Sequence, residues 1–126
     1  MSGILFIYDW DCNPNVMVNT LGKLIFDNEP ILVCCIVPEN ADSKKYIATH
    51  ISLKKTVEKI RNELNNKSRV EGLIITGYST YEIRKIAHDV DFRLLMVYHK
   101  KDEKAMEKFV EEIKRVIHIP VMQYAR

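Results

Sequence analysis

Two acidic residues stand where they could act together. Asp9 and Asp11 follow the continuous apolar run from Ile4 to Tyr8. Because alternate residues at the end of a strand point to the same side, both carboxylates are expected to face one crevice. Carboxylates placed in this way can act as nucleophiles or acids, and they can hold a cation. This pair is therefore the first candidate site in the sequence.

The cysteines and histidines give weaker signals. Cys12 lies in the same loop as the two aspartates and would be a reactive thiol only beside a suitable base. Cys34 and Cys35 are adjacent within an apolar run and are expected to be small buried hydrophobes, not a disulfide framework. The four histidines are scattered through the sequence without metal-ligand spacing. The sequence therefore predicts no metal site.

Five apolar runs predict strands that are buried on both faces. They cover residues 4–8, 31–37, 70–76, 93–98 and 121–124, and amphipathic segments separate them. Strands that alternate with helices require right-handed crossovers and a parallel sheet. The prediction is an α/β fold, a three-layer α/β/α sandwich of the doubly wound, Rossmann-like type with a five-stranded parallel sheet. Residues 1–126 are expected to form a single domain.

The predicted helices carry recognisable start signals. Asn13 before Pro14 is typical of a helix start, and Ser79 with Glu82 forms a capping box. Asp102 is expected to cap the last helix. The stripe from Leu53 to Leu64 is helical, whereas residues 44–52 are ambiguous and residues 88–91 are expected to form a turn.

Composition excludes several classes of function. Nineteen lysines and arginines against seventeen acidic residues leave a net charge of +2, too small to indicate a nucleic-acid or membrane partner. No apolar run approaches the ~20 residues of a membrane span, and no secretory signal is visible. We expect a cytoplasmic protein.

Three segments resemble the universal stress protein family, and together with the order of elements the resemblance covers essentially the whole chain. The first is Ile4–Asp9, a strand that ends in aspartate. The second comprises residues 77–87, a glycine and short polar turn followed by Glu-Ile and Ala, with the next strand at 91–97. The third comprises residues 110–122, the closing helix and a final strand with a Pro-Val pair. The resemblance implies the adenine nucleotide alpha hydrolase-like fold.

The resemblance also raises the question of a nucleotide. Members that bind ATP carry G-x2-G-x9-G-[ST] after the fourth strand, where glycine backbone amides and a hydroxyl hold the phosphates. This chain has His99–Glu103 at that place, and no residue from Tyr81 to Arg126 is Gly, Ser, Thr or Asn. We therefore expect no standard ATP site. A modified nucleotide site would use Asp9, Val37 and Lys100.

A second resemblance concerns the first loop alone. Phe6–Asp11 fits the hhhDxD opening of the haloacid dehalogenase-like phosphohydrolases, in which the first aspartate attacks phosphorus, the second protonates the leaving group and Mg²⁺ binds between them. Thr76 resembles the second motif of that superfamily. The acidic pair required after the fourth strand is missing, so this Mg-dependent enzyme, using Asp9 and Asp11, is the alternative and not the main prediction.

The final predicted strand is relevant to assembly. It is short and apolar, and exposed strands at a sheet edge invite pairing. Resemblance to the universal stress proteins implies a homodimer through this strand, with Ile119, Val121 and Tyr124 as contacts. The expected role is regulatory or binding and not catalytic, with a protein partner that the sequence does not name.

Overall fold

A five-stranded parallel sheet organises the molecule. The computed structural model describes residues 3–65 and 67–126. The strands are β1 (Gly3–Asp9), β2 (Ile31–Val37), β3 (Val70–Thr76), β4 (Phe92–His99) and β5 (Val121–Ala125). They lie in the order β3-β2-β1-β4-β5, and every pair is parallel. The predicted fold class is confirmed.

Helices cover both faces of the sheet. The helices are α1 (Val18–Leu24), which follows a short 3-10 turn at Pro14–Met17, α2 (Ser43–Glu63), α3 (Thr80–Asp89) and α4 (Lys104–Val116). Helices α1 and α2 pack on one face, and α3 and α4 pack on the other. Among the described helices, none is both long enough and apolar enough to cross a bilayer.

Strand β1 lies at the centre of the sheet and supplies both cores. Ile4, Phe6 and Tyr8 pack towards α1 and α2, whereas Leu5 and Ile7 pack towards α3 and α4. All seven residues of the strand are buried. A strand covered on both faces needs apolar residues at every position, so β1 reads as a continuous apolar run and not as an alternating one.

Most of the predicted helix starts are confirmed. The Asn13 side chain accepts a hydrogen bond from the Asn15 amide, and Ser79 accepts one from the Tyr81 amide. The ambiguous stretch at 44–52 is helical, because α2 begins at Ser43 with the Asp42 carboxylate accepting from the Lys45 amide at 2.7 Å. The turn expected at 88–91 begins later, since α3 continues to Asp89.

The prediction that Asp102 caps the last helix is wrong. Asp102 adopts a left-handed conformation, with φ of 62°, and Glu103 occupies the cap position without a side-chain hydrogen bond to the helix. Aspartate tolerates this conformation better than most residues, because its short polar side chain can bond locally. The turn at Asp102 therefore leaves the Glu103 carboxylate available for contacts away from its own helix.

An ion pair links strand β4 to the loop before β2 at the amino end of the sheet. Arg93 donates to both carboxylate oxygens of Glu29, at 2.8 and 2.9 Å, and to the carbonyl oxygen of Leu24 at 2.7 Å. The Phe26 amide also donates to Glu29, and the guanidinium lies 3.9 Å from the centre of the Phe26 ring. Only 3% of the Glu29 side chain is exposed. A buried carboxylate requires such partners.

Candidate functional site

The candidate site lies at the carboxyl end of the sheet, where the first four strands finish. Asp9 ends β1, Val37 ends β2 and His99 ends β4, while Gly77 follows β3. The Gly77 amide donates to the Val37 carbonyl oxygen at 2.7 Å, which joins the loops after β2 and β3. In open parallel sheets, ligands bind in the crevice at this end.

Gly77 permits a tight approach between these two loops. Its φ is +87°, a conformation that a residue with a side chain rarely adopts. A Cβ atom there would lie 2.8 Å from Cγ of Glu39. The glycine thus directs the chain into Tyr78, which reaches across the crevice.

Asp9 is almost completely buried, with 1% of its surface exposed. Its Oδ1 accepts a hydrogen bond from the Tyr78 hydroxyl at 2.9 Å and another from the Trp10 amide at 3.1 Å. Tyr78 was not among the residues predicted for the site. The available signal was a polar aromatic residue directly after a glycine at a strand end.

Two further carboxylates approach Asp9. One oxygen each from Asp9, Asp11 and Glu103 lies within 4.8 Å of the other two, with Asp11 and Glu103 half-buried. The expected proximity of Asp9 and Asp11 is therefore confirmed, whereas Glu103 was missed. Asp9, Asp11 and Glu103 are the described residues with the spacing that could hold a metal ion.

The environment of Asp9 favours its neutral form. Burial, together with the charges of Asp11 and Glu103, raises the pKa of Asp9 from 3.8 to about 7, although the hydrogen bonds from Tyr78 and Trp10 lower it. Burial, with the charge of Asp9, also raises the pKa of Tyr78. Near neutral pH, Asp9 is therefore divided between its neutral and ionised forms.

Lys100 reaches the same crevice from the loop after β4. Its Nζ lies 3.4 Å from Oδ2 of Asp11, and 57% of its side chain is exposed. Asp9 and Lys100, which were predicted for a modified nucleotide site, therefore each lie close to Asp11. Val37 is completely buried at the end of β2.

The surroundings of Cys12 disfavour its reactive thiolate form. Burial raises its pKa to about 12, and the charges of Asp11 and Asp9 act in the same direction. The thiolate is the reactive form of cysteine, so these surroundings oppose nucleophilic chemistry at Cys12. Cys34 and Cys35 are buried, as predicted.

Trp10 covers the side of the crevice next to helix α2. Its ring packs against the core between the sheet and α1 and α2, and the Lys45 ammonium lies 4.4 Å from the ring centre. A cation over an indole face is an attractive contact. The bulky ring therefore occupies volume beside Asp9 in the crevice.

His99 links the loop after β4 to the last strand through hydrogen bonds. It is fully buried, and its Nδ1 lies 2.7 Å from the Lys100 carbonyl oxygen, to which it donates. Its Nε2 lies 2.8 Å from Nε2 of Gln123, so the imidazole accepts from that amide. Sequence reasoning had no signal for this pairing, because Gln123 is 24 residues away.

The residues predicted for a dimer contact lie on or next to β5, on the side of β4 opposite to β1. Strand β5 is an edge strand, and Val121 and Tyr124 on it are half-buried, as is Ile119 just before it. Strands β5 and β3 form the two opposite edges of the sheet. The prediction that the last strand lies at an edge of the sheet is confirmed, whereas the dimer contact stays a prediction.

Comparison with solved structures gives a consistent fold. The hypothetical protein PH0823 is 17% identical, with 99% of this chain and 96% of that chain covered at a TM-score of 0.67. The hypothetical protein MJ0577 is also 17% identical, covering 100% and 98% at a TM-score of 0.63. A universal stress protein family member from Burkholderia pseudomallei is 7% identical, covering 97% and 95% at a TM-score of 0.57.

The fold is that of the universal stress proteins. No protein-family model and no curated protein sequence matches the chain. The predicted resemblance is therefore confirmed in the three-dimensional arrangement, at sequence identities too low to transfer a ligand or an activity.

Proposed function

We propose that this protein is a universal stress protein-like binding domain with a regulatory role, homodimeric, and without ATP at the crevice of the sheet. The observation that carries the proposal is the acidic crevice, in which Asp9, Asp11 and Glu103 converge within 4.8 Å. Three carboxylates repel the phosphates of a nucleotide, whereas a phosphate site needs backbone amides or cations.

Three further features support the absence of ATP. The Tyr78 hydroxyl donates to Asp9, so one oxygen of a carboxylate predicted for a modified nucleotide site already has a partner. Lys100, the cation closest to the crevice in the predicted nucleotide set, is engaged with Asp11. The loop after β4 also lacks the glycines that would bring amides to a phosphate.

Native mass spectrometry with and without Mg-ATP tests both parts of the proposal. We expect a dimer mass with no nucleotide adduct. A stoichiometric adduct would show that other groups replace the glycine loop and would contradict the proposal. A monomer mass would contradict the dimer alone.

The homodimer is proposed to form through β5, with Ile119, Val121 and Tyr124 in contact. This strand is an edge with no charged residue between Val121 and Ala125, unlike β3, where Glu71 and its ion pair with Arg69 lie at the opposite edge. Val121→Asp should give a monomer in sedimentation velocity, whereas the matched substitution Leu73→Asp on β3 should leave the dimer intact. Unchanged sedimentation of Val121→Asp would overturn the assignment.

The phosphohydrolase alternative is not favoured by the structural neighbours. Its nucleophile would be Asp9, yet burial raises the pKa of that carboxyl to about 7 and Tyr78 bonds to it. An assay with p-nitrophenyl phosphate and Mg²⁺ should show no turnover for the wild type. Turnover that Asp9→Asn abolishes would establish the enzyme instead.

A further inference from the structure

A groove lies on the α3–α4 side of the sheet, away from the acidic crevice. Its volume is about 610 Å³, and it runs between α3 and the chain that leaves α4 for β5. Ala87 and Val116 form a half-buried apolar floor, with Ile117 buried beside them. Ile119, which is also a predicted dimer contact, is half-buried and lines the end of the groove towards β5. A concave apolar surface of this size falls in the range of ligand and peptide sites.

The rim of the groove is basic and aromatic. Tyr81, Arg84, Lys85 and His88 are exposed on α3, and His118 is exposed on the opposite side. Arg84 and Lys85 each lie three or four residues from both Tyr81 and His88, which places them along one face of the helix. From Tyr81 to His88 this stripe is about 10 Å long, the reach of an extended segment of three or four residues.

The one acidic residue of the lining does not reverse this charge. Asp89 lies at the end of α3, and its Oδ1 is 3.4 Å from Nδ1 of its neighbour His88. Arg84 and Lys85 have no such counter-charge in the lining of the groove, and α4 ends nearby with Lys114 and Arg115. The groove therefore favours a negatively charged occupant.

We propose that this groove binds an acidic segment of a partner protein, with an apolar or aromatic side chain seated on the floor. Carboxylates of the segment meet Arg84 and Lys85, and a ring or branched side chain packs against Tyr81 and Ala87. The proposal rests on the proposed binding role and specifies the partner's chemistry. It is independent of whether the crevice around Asp9 accepts a nucleotide.

A second copy of this chain is the wrong occupant on charge grounds. In a two-fold dimer the same surface patch faces itself. Arg84 and Lys85 of one copy would then meet the same residues of the other, and like charges across an interface oppose association. An open rim with exposed side chains on both sides also suits an extended segment laid across it.

The test begins with selection of short random peptides displayed on phage against the immobilised wild-type protein. We expect enriched peptides that combine aspartate or glutamate with a large apolar residue. The best peptide is then synthesised with a fluorescent label, and its affinity is measured by fluorescence anisotropy. Enrichment without an excess of acidic residues would overturn the proposal.

Charge reversal identifies the surface. The double variant Arg84→Glu, Lys85→Glu should weaken peptide binding about tenfold or more, because two favourable charge contacts become unfavourable. The matched control Lys54→Glu, Lys55→Glu reverses two adjacent exposed lysines of α2 on the other face of the sheet. It should change the affinity less than about twofold.

Two checks separate this inference from other causes. Tyr81→Ala, at an exposed position, should weaken binding several-fold while the far-ultraviolet circular dichroism stays unchanged. Equal losses in the groove variant and the α2 control would indicate non-specific attraction and overturn the proposal. Binding to phosphatidylserine vesicles that is lost in the groove variant, without peptide binding, would assign the surface to a membrane and also overturn it.

The outcome is distinguishable from a failure of the proposed function. A nucleotide adduct in native mass spectra, with peptide binding lost only in the groove variant, would refute the proposal for the crevice and keep the groove. A dimer without adduct, and with no change in peptide binding for Arg84→Glu, Lys85→Glu, would refute the groove alone.

Discussion

Two buried carboxylates lie at opposite ends of the same sheet and are stabilised in different ways. Glu29, at the amino end, receives both donors of a forked arginine contact and an amide. Asp9, at the carboxyl end, receives a tyrosine hydroxyl and an amide, with two further carboxylates nearby. The first arrangement compensates a negative charge, whereas the second works against one.

These different surroundings indicate a structural role for Glu29 and a place in the candidate site for Asp9. An ion pair with Arg93 compensates the charge of Glu29 and joins the loop before β2 to β4. Among the described residues, no cation forms an ion pair with Asp9, and burial raises its pKa to about 7. Groups with strongly perturbed pKa values concentrate at functional sites, although structural networks also produce them.

The largest effect is expected from breaking the pair at the amino end. Arg93→Met should lower the free energy of unfolding by about 3 kcal/mol, because it leaves Glu29 buried without its cation. Urea denaturation followed by circular dichroism measures the change. The control Arg69→Met, which removes an exposed pair with Glu71, should cost less than about 1 kcal/mol. Equal losses for both variants would show that the buried pair is no stronger than a surface one.

A smaller effect, with a pH dependence, is expected at the carboxyl end. Asp9 has a raised pKa in the folded protein, so its contribution to stability is fully present below pH 3.8 and is lost as the pH rises through about 7. Asp9→Asn cannot ionise, and its carbonyl oxygen can still accept from Tyr78 and Trp10. The variant should match the wild type near pH 4, and its free energy of unfolding should exceed that of the wild type progressively as the pH rises to 8.

Urea unfolding of both proteins across this pH range measures the difference. The exposed substitution Asp27→Asn serves as the control and should leave the pH profile of stability unchanged. A constant offset between Asp9→Asn and the wild type at every pH would contradict the raised pKa. It would also remove the contrast between Asp9, whose surroundings oppose a negative charge, and Glu29, whose surroundings compensate one.

The smallest effect is expected from removing one hydroxyl. Tyr78→Phe deletes the hydrogen bond that holds down the pKa of Asp9, so that pKa should rise further. The cost to stability at pH 8 should be about 1 kcal/mol. Carbon-detected NMR titration of the Asp9 carboxyl measures the pKa, with the exposed Tyr81→Phe as the control. An unchanged Asp9 pKa would mean that the tyrosine contributes packing alone.

The sequence predicted the sheet well because its strands obey a local rule. The runs from Ile4 to Tyr8 and from Ile31 to Val37 must be apolar throughout, since helices cover both faces. Their alternation with helices then leaves few arrangements. The order of the strands in the sheet required the resemblance, because no local pattern specifies which strand neighbours which.

Only part of the candidate site could be predicted, because spacing in the sequence relates only residues that are close along the chain. Asp9 and Asp11 share one strand end, so their proximity follows from spacing. Glu103 joins them through the left-handed turn at Asp102, and Tyr78 through the turn at Gly77. Glu29 and Arg93 are 64 residues apart and carry no common motif. Such contacts depend on how loops fold over the sheet, which periodicity does not encode.

The central place of β1 has a consequence for the order in which the protein can be made. Ile4 pairs with Ile31 on one side and with Leu94 on the other. A ribosome must therefore translate most of the chain before the second side of β1 finds its neighbour. During that interval a strongly apolar strand keeps one edge open, a state prone to association with other nascent chains. Synthesis speed and chaperone capture between β3 and β4 should thus influence how much protein reaches the native state.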